Sequence, residues 1–563
     1  MSSEKKAKIT LFLILAFAFF LRFFNLSWGE GNFYHPDENN MAQALSRLSW
    51  PKMDPQFYAY GQLPLYLPFF SLKGYQLLKF SPQTAFTFPQ AVFALRFWSA
   101  FLSVLSVGLI FLLAKKLFPP KFSFLPPLFA AFTPGLIQAA HFGTTESWLI
   151  FFFLFSLYES LLFLEERNKK HLFFASFFCG LAVATKISGA IFLVAPLTTW
   201  LISSIKGEKK PLIQYIRELK LPLLLIINVI IIAIIFSPYL LLNREQSWST
   251  LKYEVEVATG KIPVFYTRQF LNTPAYLFQL QKVFPYALGL PQFLAALIGF
   301  SLILASLYRN LAKKFFSPWF VITASALVYF LYNGHLFVKW TRFMAPLFPL
   351  ASLFTTYFFQ KVKNLPKAAW LFLVGLTIFP GCFFFASVFF QKDIRTRASE
   401  WLCQNLQQDT LVLSEAGNVV SFPQCPPSKQ FRVIDFDFYA LEGNPEKLTQ
   451  LSQALSEADF LVIPSRRVFL NHQRLPQKFP QTNRYYQLLF SGQLGFTPLK
   501  KFNPYPWEIS DEQAEETWSV FDHPVIRIYQ KTIPHSPEEY RQILGVEKQE
   551  IKIQGKTMQR DDK

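Results

Sequence analysis

The chain of 563 residues is 52% hydrophobic and 18% aromatic, and Lys plus Arg exceed Asp plus Glu to a formal charge of +19. Mean hydropathy is +0.25, and apolar stretches of about 20 residues recur through the chain up to position 390, which excludes an ordinary soluble domain. The positive charge falls in loops between apolar runs and forms no basic stripe, so insertion topology explains it and nucleic acid is excluded as a partner.

The first run, "ITLFLILAFAFFLRFFNL" from Ile9 to Leu26, is too long for a signal-peptide core and lacks a small-residue cleavage site. It reads as a retained span. Further spans are expected near 94–117, 122–140, 147–164, 172–186, 188–205, 220–240, 286–308, 316–334, 342–360 and 367–390. The stretch 63–80, "LPLYLPFFSLKGYQLLKF", carries Pro64, Pro68, Lys73 and Lys79. If it lies at the interface without crossing, the cytoplasmic loops collect Lys5, Lys6 and Lys8, then Lys115, Lys116 and Lys121, then Arg167, Lys169 and Lys170. They go on to collect Lys206, Lys209 and Lys210, then Arg309, Lys313 and Lys314, and finally Lys361, Lys363 and Lys367. A crossing there would invert this order, so the charge pattern predicts eleven spans, a cytoplasmic N-terminus and an outward C-terminus.

Beyond 391 the character changes. "TLVLSEAGN", "ADFLVIPSR" and "HPVIRIYQK" read as strands between helical stretches. The expected organisation is a catalytic membrane domain over 1–391, an extracytoplasmic α/β domain over 392–534 and a polar tail over 535–563. Cys179 and Cys382 lie in apolar runs, whereas Cys403 and Cys425 pair only if their domain faces an oxidising space.

With this topology the unusual polar residues gather at one face. "FYHPDENN" places His35, Asp37 and Glu38 directly after the first span. Helix capping explains one acid there; two acids and a histidine beside a membrane point to a site. One acid would deprotonate an acceptor hydroxyl and the other would position it or hold a metal. "HFGTTESW" adds His141 and Glu146, where an ion pair with Arg96 or Lys186 is the plainer alternative. Arg96 in "ALRFWSAFLS", Lys186 in "LAVATKISGAIF" and Arg342 in "VKWTRFMAPLFPL" are three cations at the same face. They suit a phosphate-bearing lipid whose tail stays in the bilayer, each having head-group snorkelling as its ordinary explanation.

These segments together resemble the polytopic GT-C glycosyltransferases, and within them the lipid-carrier-dependent protein O-mannosyltransferases and aminoarabinose transferases. The resemblance rests on "YHPDE", "LPLYLPF", "ALRFWSAFLS", "HFGTTESWLIFF", "GLAVATKISGAIFL", "FSPYLL", "TRFMAPLFPL" and "FDHPVIRIYQK" in that order. It implies an inverting transfer of a sugar from a polyprenyl-phosphate donor to a hydroxyl of a protein, lipid or glycan at the outer face of the cell membrane. Asp37 would be the base, with Glu38 and Glu146 as further catalytic acids. His35, Arg96, His141, Lys186 and Arg342 would bind substrate and carrier phosphate. The family commonly has Asp where this chain has Glu146. No metal is required by the sequence; a divalent ion stays open. A lipid-linked glycan flippase and an oligosaccharide polymerase or ligase are the alternatives. A flippase predicts charges at mid-membrane, whereas here the span interiors are nearly uncharged.

Overall fold

The computed structural model describes residues 3–79, 86–205, 219–309, 317–417, 420–426 and 431–545. Lys206, Lys209, Lys210, Lys313 and Lys314 lie outside them, as does the tail beyond 545. Two compact units are present: Met1–Asp393 with Pro504–His523, and Ile394–Asn503 with Pro524–Lys563.

The first unit is helical, and each expected span coincides with helix. It opens with α1 (Ser3–Phe23), α2 (Pro36–Arg47), α3 (Leu63–Leu78) and α4 (Phe88–Leu117). α5 (Leu125–Ala131), α6 (Pro134–His141), α7 (Glu146–Glu166), α8 (Lys170–Thr185) and α9 (Val194–Ile205) follow. The unit closes with helices Lys220–Phe236, Leu290–Arg309, Pro318–His335, Phe348–Lys361 and Lys367–Val388. Among the described residues five helical segments are long and apolar enough to cross a membrane: Phe88–Leu117, Glu146–Glu166, Ile187–Ile205, Leu290–Arg309 and Lys367–Val388. Lys170–Thr185 and Lys220–Phe236 are shorter apolar helices. Large apolar side chains such as Phe12, Phe17 and Phe20 on α1 and Ile230, Ile231 and Ile235 are exposed. Lipid, not water, suits such a surface. The chain is a multi-pass membrane protein.

Prolines set the irregularities. The expected span 122–140 is two helices, because Pro134 supplies no amide hydrogen and holds Thr133 extended. The carbonyls this break frees, on Ala130 and Ala131, accept hydrogen bonds from Arg22 at 3.1 and 3.0 Å. Arg22 Nε donates to Ser103 Oγ at 2.8 Å. A fully buried arginine is tolerated here because the orphaned carbonyls need donors.

The second unit holds a five-stranded sheet, from β1 (Leu411–Glu415), β2 (Arg432–Phe436), β3 (Phe460–Ile463), β4 (Phe496–Phe502) and β5 (Ile526–Lys531), in the order β2-β1-β3-β5-β4. β1 runs parallel to β2 and β3, while β5 is antiparallel to β3 and β4. Leu451, Leu455, Tyr485, Tyr486 and Leu489 form part of one core cluster with strand residues, and Ile394, Ala398 and Leu402 belong to a second. Cys403 and Cys425 form a disulfide with Cα atoms 5.7 Å apart.

Two boundaries differ from the sequence expectation. Residues 504–523, read from sequence as part of the 392–534 domain, fold with the first unit. The expected tail over 535–563 begins as an ordered helix, Pro537–Leu544, started by a Ser536/Glu539 capping box. It buries Tyr540 and Leu544 in the core of the sheet unit, four residues apart on one helix face.

Candidate functional site

α2 carries the two neighbouring acids, and its start explains their placement. His35 is the N-cap residue: its backbone is extended and its Nδ1 accepts from the Glu38 amide at 3.4 Å. Pro36 supplies the preset backbone angle of the first turn. The cap is thus the imidazole, and neither acid is consumed by capping. Successive helix residues point about 100° apart, so Asp37 and Glu38 face different partners.

Glu38 turns inward to Arg96 on α4. The guanidinium grips it at two points, Nε to Oε1 at 2.8 Å and Nη2 to Oε2 at 2.7 Å. Oε1 also accepts the Gly143 amide at 2.7 Å. Arg96 Nη1 donates to the carbonyls of Leu26 and Trp28 at 2.8 and 3.0 Å. Its guanidinium lies 4.4 Å from the Trp28 ring centre. The side chains are 1% and 0% exposed. Gly143 is required by this approach, because a Cβ there would stand 2.7 Å from Leu95 Cβ and 3.0 Å from Glu38 Oε1. Glu38, expected as a catalytic acid, and Arg96, expected at the carrier phosphate, are each engaged by the other and by backbone, tying the first loop to α4 and to the turn before α7.

His141, expected to bind substrate, is likewise engaged by backbone. Its ring nitrogens lie 2.9 Å from the Ile137 carbonyl and 3.0 Å from the Phe24 carbonyl, and its ring stacks on Phe389 at 3.7 Å. Fully buried, it ties α6 to the end of the first span.

Asp37 turns the other way, to Arg342. The two form an ion pair in which each side chain is 20% exposed. Arg342 sits in the short turn Thr341–Met344, with its guanidinium 4.5 Å from the Trp340 ring centre. Arg342 Nε is buried and, among the described residues, lacks a hydrogen-bond partner, as does Thr341 Oγ1. Beside the pair lies a cavity of about 40 Å³ whose polar lining is His35, Gln138, Glu146, Thr341, Arg342 and Thr517. That volume accommodates water or a small functional group, not a sugar ring. His35 borders it between the rings of Phe142 and Phe521, at 4.6 and 4.5 Å. Burial holds its pKa well below the usual imidazole range, and the fields of Arg342 and Arg96 lower it further. His35 is thus neutral, a hydrogen-bonding group and not a cation.

Glu146 opens α7, is 7% exposed, and also lines the cavity. Lys186, at the C-cap of α8, has its ammonium between the Tyr60 and Phe343 rings, at 5.0 and 5.1 Å. It feels the charges of Glu146 and Glu254, yet among the described residues it makes no ion pair. The loop before α3 clamps this corner: Gly61 N donates to Thr185 O at 2.9 Å, and Gln62 N to Ser237 Oγ at 2.8 Å. Ser237 Oγ in turn donates to Ala184 O at 2.8 Å. A Cβ on Gly61 would lie 1.9 Å from Ala184 O, so only glycine permits the contact. Phe343, beside Lys186, directly follows Arg342 in the chain. The structure therefore brings His35, Asp37, Glu146, Lys186 and Arg342 to one corner, and sets Glu38, Arg96 and His141 apart as its supports.

Residues 504–523 supply what sequence reasoning missed. Trp340 has no side-chain oxygen to cap the Arg342 turn, and Glu515 Oε2 takes the Thr341 amide at 2.9 Å instead. Glu515 Oε1 accepts Gln269 Nε2 at 2.7 Å. The segment is anchored by His523, buried between Asp522 at 2.5 Å and Asp511 at 2.8 Å. Burial alone would lower the pKa of His523, but the two carboxylates outweigh it and raise it to about 10. Gln138 on α6 donates to Asp522 Oδ2 at 2.9 Å and to the Trp518 carbonyl at 2.7 Å. Phe521 and Thr517 thereby reach the cavity. The only sequence signal was the acid-flanked histidine of "FDHPV", read as a strand lead-in. Among the described residues no three His, Cys, Asp or Glu side chains converge as a metal-ligand set, and Asp37 is taken by Arg342.

Compared with solved structures, the chain aligns over 90% of its length with 75% of the Archaeoglobus fulgidus oligosaccharyltransferase AglB, solved with an inhibitory peptide and a dolichol-phosphate, at 12% identity and a TM-score of 0.51. The chain has the GT-C fold. Looser alignments reach two further GT-C proteins. ArnT from Cupriavidus metallidurans bound to undecaprenyl phosphate covers 94% of this chain and 98% of its own at 13% identity, with a TM-score of 0.40. The S. cerevisiae protein O-mannosyltransferase Pmt1-Pmt2 complex bound to the sugar donor covers 44% of this chain and 35% of its own at 18% identity, with a TM-score of 0.34. Residues 87–242 match the family described as dolichyl-phosphate-mannose-protein mannosyltransferase. No curated protein sequence matches the chain. The matched stretch runs from the cap of α4 through Glu146 and Lys186 to the Ser237 clamp.

Proposed function

We propose that this GT-C protein is an inverting glycosyltransferase that moves a sugar from a polyprenyl-phosphate donor to an acceptor hydroxyl, with Asp37 as base. The observation that carries the reading is the pairing of Asp37 with Arg342, whose Nε has no partner among the described residues, beside a lysine that makes no ion pair among them. A guanidinium and an ammonium at one corner suit a lipid phosphate, and the carboxylate between them and the first loop suits a hydroxyl.

In the proposed step the donor phosphodiester draws Arg342 away from Asp37. The acceptor oxygen then attacks the anomeric carbon while Asp37 takes its proton. The bond from that carbon to the phosphate oxygen breaks, and the departing polyprenyl phosphate carries one more negative charge than it did as a diester. Arg342 and Lys186 stabilise that added charge, the kind of term that dominates when charge develops in a dry site. Glu146 and the neutral imidazole of His35 position the acceptor through hydrogen bonds. Inversion follows from a single displacement at the anomeric carbon. No step calls on a metal.

The lysine-rich loops belong in the cytoplasm with the N-terminus. The Cys403–Cys425 disulfide supports an extracytoplasmic sheet unit at the plasma membrane. The test is sugar release from synthetic polyprenyl-phosphate sugars by purified protein in lipid. Wild type turns over and Asp37→Asn, equally folded, falls by about 10²–10⁴-fold. Equal turnover in both would remove Asp37 as base.

A further inference from the structure

The turn that carries Arg342 holds a second polar side chain for which the proposed step has no use. Thr341, 6% exposed, lines the cavity of about 40 Å³ beside Arg342. Among the described residues, Thr341 Oγ1 and Arg342 Nε are buried atoms without a hydrogen-bond partner. A buried hydroxyl with nothing to bond lowers stability, so valine would serve better if packing were its only task. Two such groups on consecutive residues, at one cavity, need another reason.

The turn is held from both ends. Glu515 Oε2 accepts the Thr341 amide at 2.9 Å and Thr517 Oγ1 at 2.5 Å. Its Oε1 accepts Gln269 Nε2 at 2.7 Å and the Thr517 amide at 3.0 Å. Each oxygen of this fully buried side chain thus meets one backbone amide. Glutamine could not replace it, because either orientation would turn its NH2 against one of those amides. At the other end the Phe343 carbonyl accepts the Tyr329 hydroxyl at 3.0 Å. The Thr341 amide is therefore engaged already, and what the turn offers a ligand is its side chains. Glu515 itself lies in residues 503–525, which connect β4 to β5, where an antiparallel pair needs only about two to five. Holding this turn gives that long connection a task.

Resting on the glycosyltransferase reading, we infer that Thr341 is a phosphate-binding residue. Its hydroxyl donates to an oxygen of the carrier phosphate beside Arg342 Nε, and Glu515 is the positioning residue that holds both donors. The chemistry selects an anion. Arg342 Nε–H can only donate, so a group shared with the threonine hydroxyl must accept from both, as a phosphate oxygen does. The cavity admits one such oxygen and excludes the sugar. When the bond from the anomeric carbon breaks, the departing phosphate gains a negative charge, and a hydrogen bond to it strengthens. Thr341 therefore acts on the leaving group as well as on binding.

The test uses the full chain in phosphatidylcholine nanodiscs and polyprenyl phosphate as probe, with neither sugar nor acceptor. Thr341→Val keeps the shape, removes the hydroxyl and weakens binding about tenfold, as for one hydrogen bond to a charged group. Its melting temperature stays at or above that of wild type, because no hydrogen bond within the protein is lost. Thr341→Ser restores a hydroxyl and binds within about twofold of wild type. Glu515→Gln releases the turn, and in that background Thr341→Val weakens binding by less than about twofold more. Thr341→Val binding like wild type, or two effects that simply multiply, would overturn the inference, and the Thr341 variants decide it alone if Glu515→Gln does not fold. Competition by added phosphatidylglycerol that vanishes in Thr341→Val would assign the donors to membrane head groups and overturn the carrier as ligand. Thr341-dependent binding without sugar transfer would keep the inference and defeat the transferase reading. Transfer whose donor KM and kcat are untouched by Thr341→Val would do the reverse.

Discussion

Two arginine–carboxylate pairs sit one residue apart on α2, and they differ in everything but their chemistry. Glu38 and Arg96 are sealed from solvent, bidentate, and satisfied by backbone on both sides. Asp37 and Arg342 are each 20% exposed, and the guanidinium keeps a buried Nε in reserve. A saturated pair holds elements together, since nothing is left over for a ligand. An unsaturated pair that can exchange partners is the one suited to chemistry.

The largest expected effect breaks the sealed pair. Glu38→Gln or Arg96→Ala leaves an uncompensated buried charge and costs about 3–5 kcal/mol, seen as loss of folded protein in thermal unfolding. Asp37→Asn, by contrast, leaves the melting temperature near that of wild type while removing turnover. Breaking both pairs with equal loss of stability would erase the distinction.

A smaller effect concerns the support of the open pair. His523 has a folded pKa raised to about 10, against an unfolded value near 6.5. Its contribution is therefore full below about pH 6.5, declines as pH rises, and is gone above 10. Hydrogen exchange in residues 511–523 is expected to quicken across that window, ahead of α2, and His523→Gln is expected to abolish the pH dependence. The mildest effect is on Lys186: Lys186→Met, keeping the stem and the ring contacts, raises the donor KM and leaves the melting temperature unchanged.

The contrast also marks what could be read from sequence. Apolar runs located the helices because lipid contact demands length and hydropathy, but 122–140, read as one span, breaks at Pro134. β2 and β4 were not anticipated: "RVIDF" and "FTPLKKF" are edge strands with mostly exposed side chains, so they carry charge and proline in place of a buried pattern. Span-end position placed Asp37, Lys186 and Arg342 at one face, and the structure sets them at one corner. The same logic also collected Arg96 and His141, because a cation at a span end looks alike whether its partner is a ligand or a carbonyl from a distant loop. Glu515 was invisible for the opposite reason: its partner Thr341 lies 174 residues away in the chain.

In this mechanism Arg342 passes from Asp37 to the lipid phosphate. Binding of polyprenyl phosphate to wild type, Asp37→Asn and Arg342→Ala in nanodiscs tests it most directly. Removing the competing carboxylate at this half-open site, worth about 1 kcal/mol, should tighten binding about fivefold in Asp37→Asn, while Arg342→Ala loses it. Unchanged or weaker binding in Asp37→Asn, with Arg342→Ala binding like wild type, would contradict the exchange.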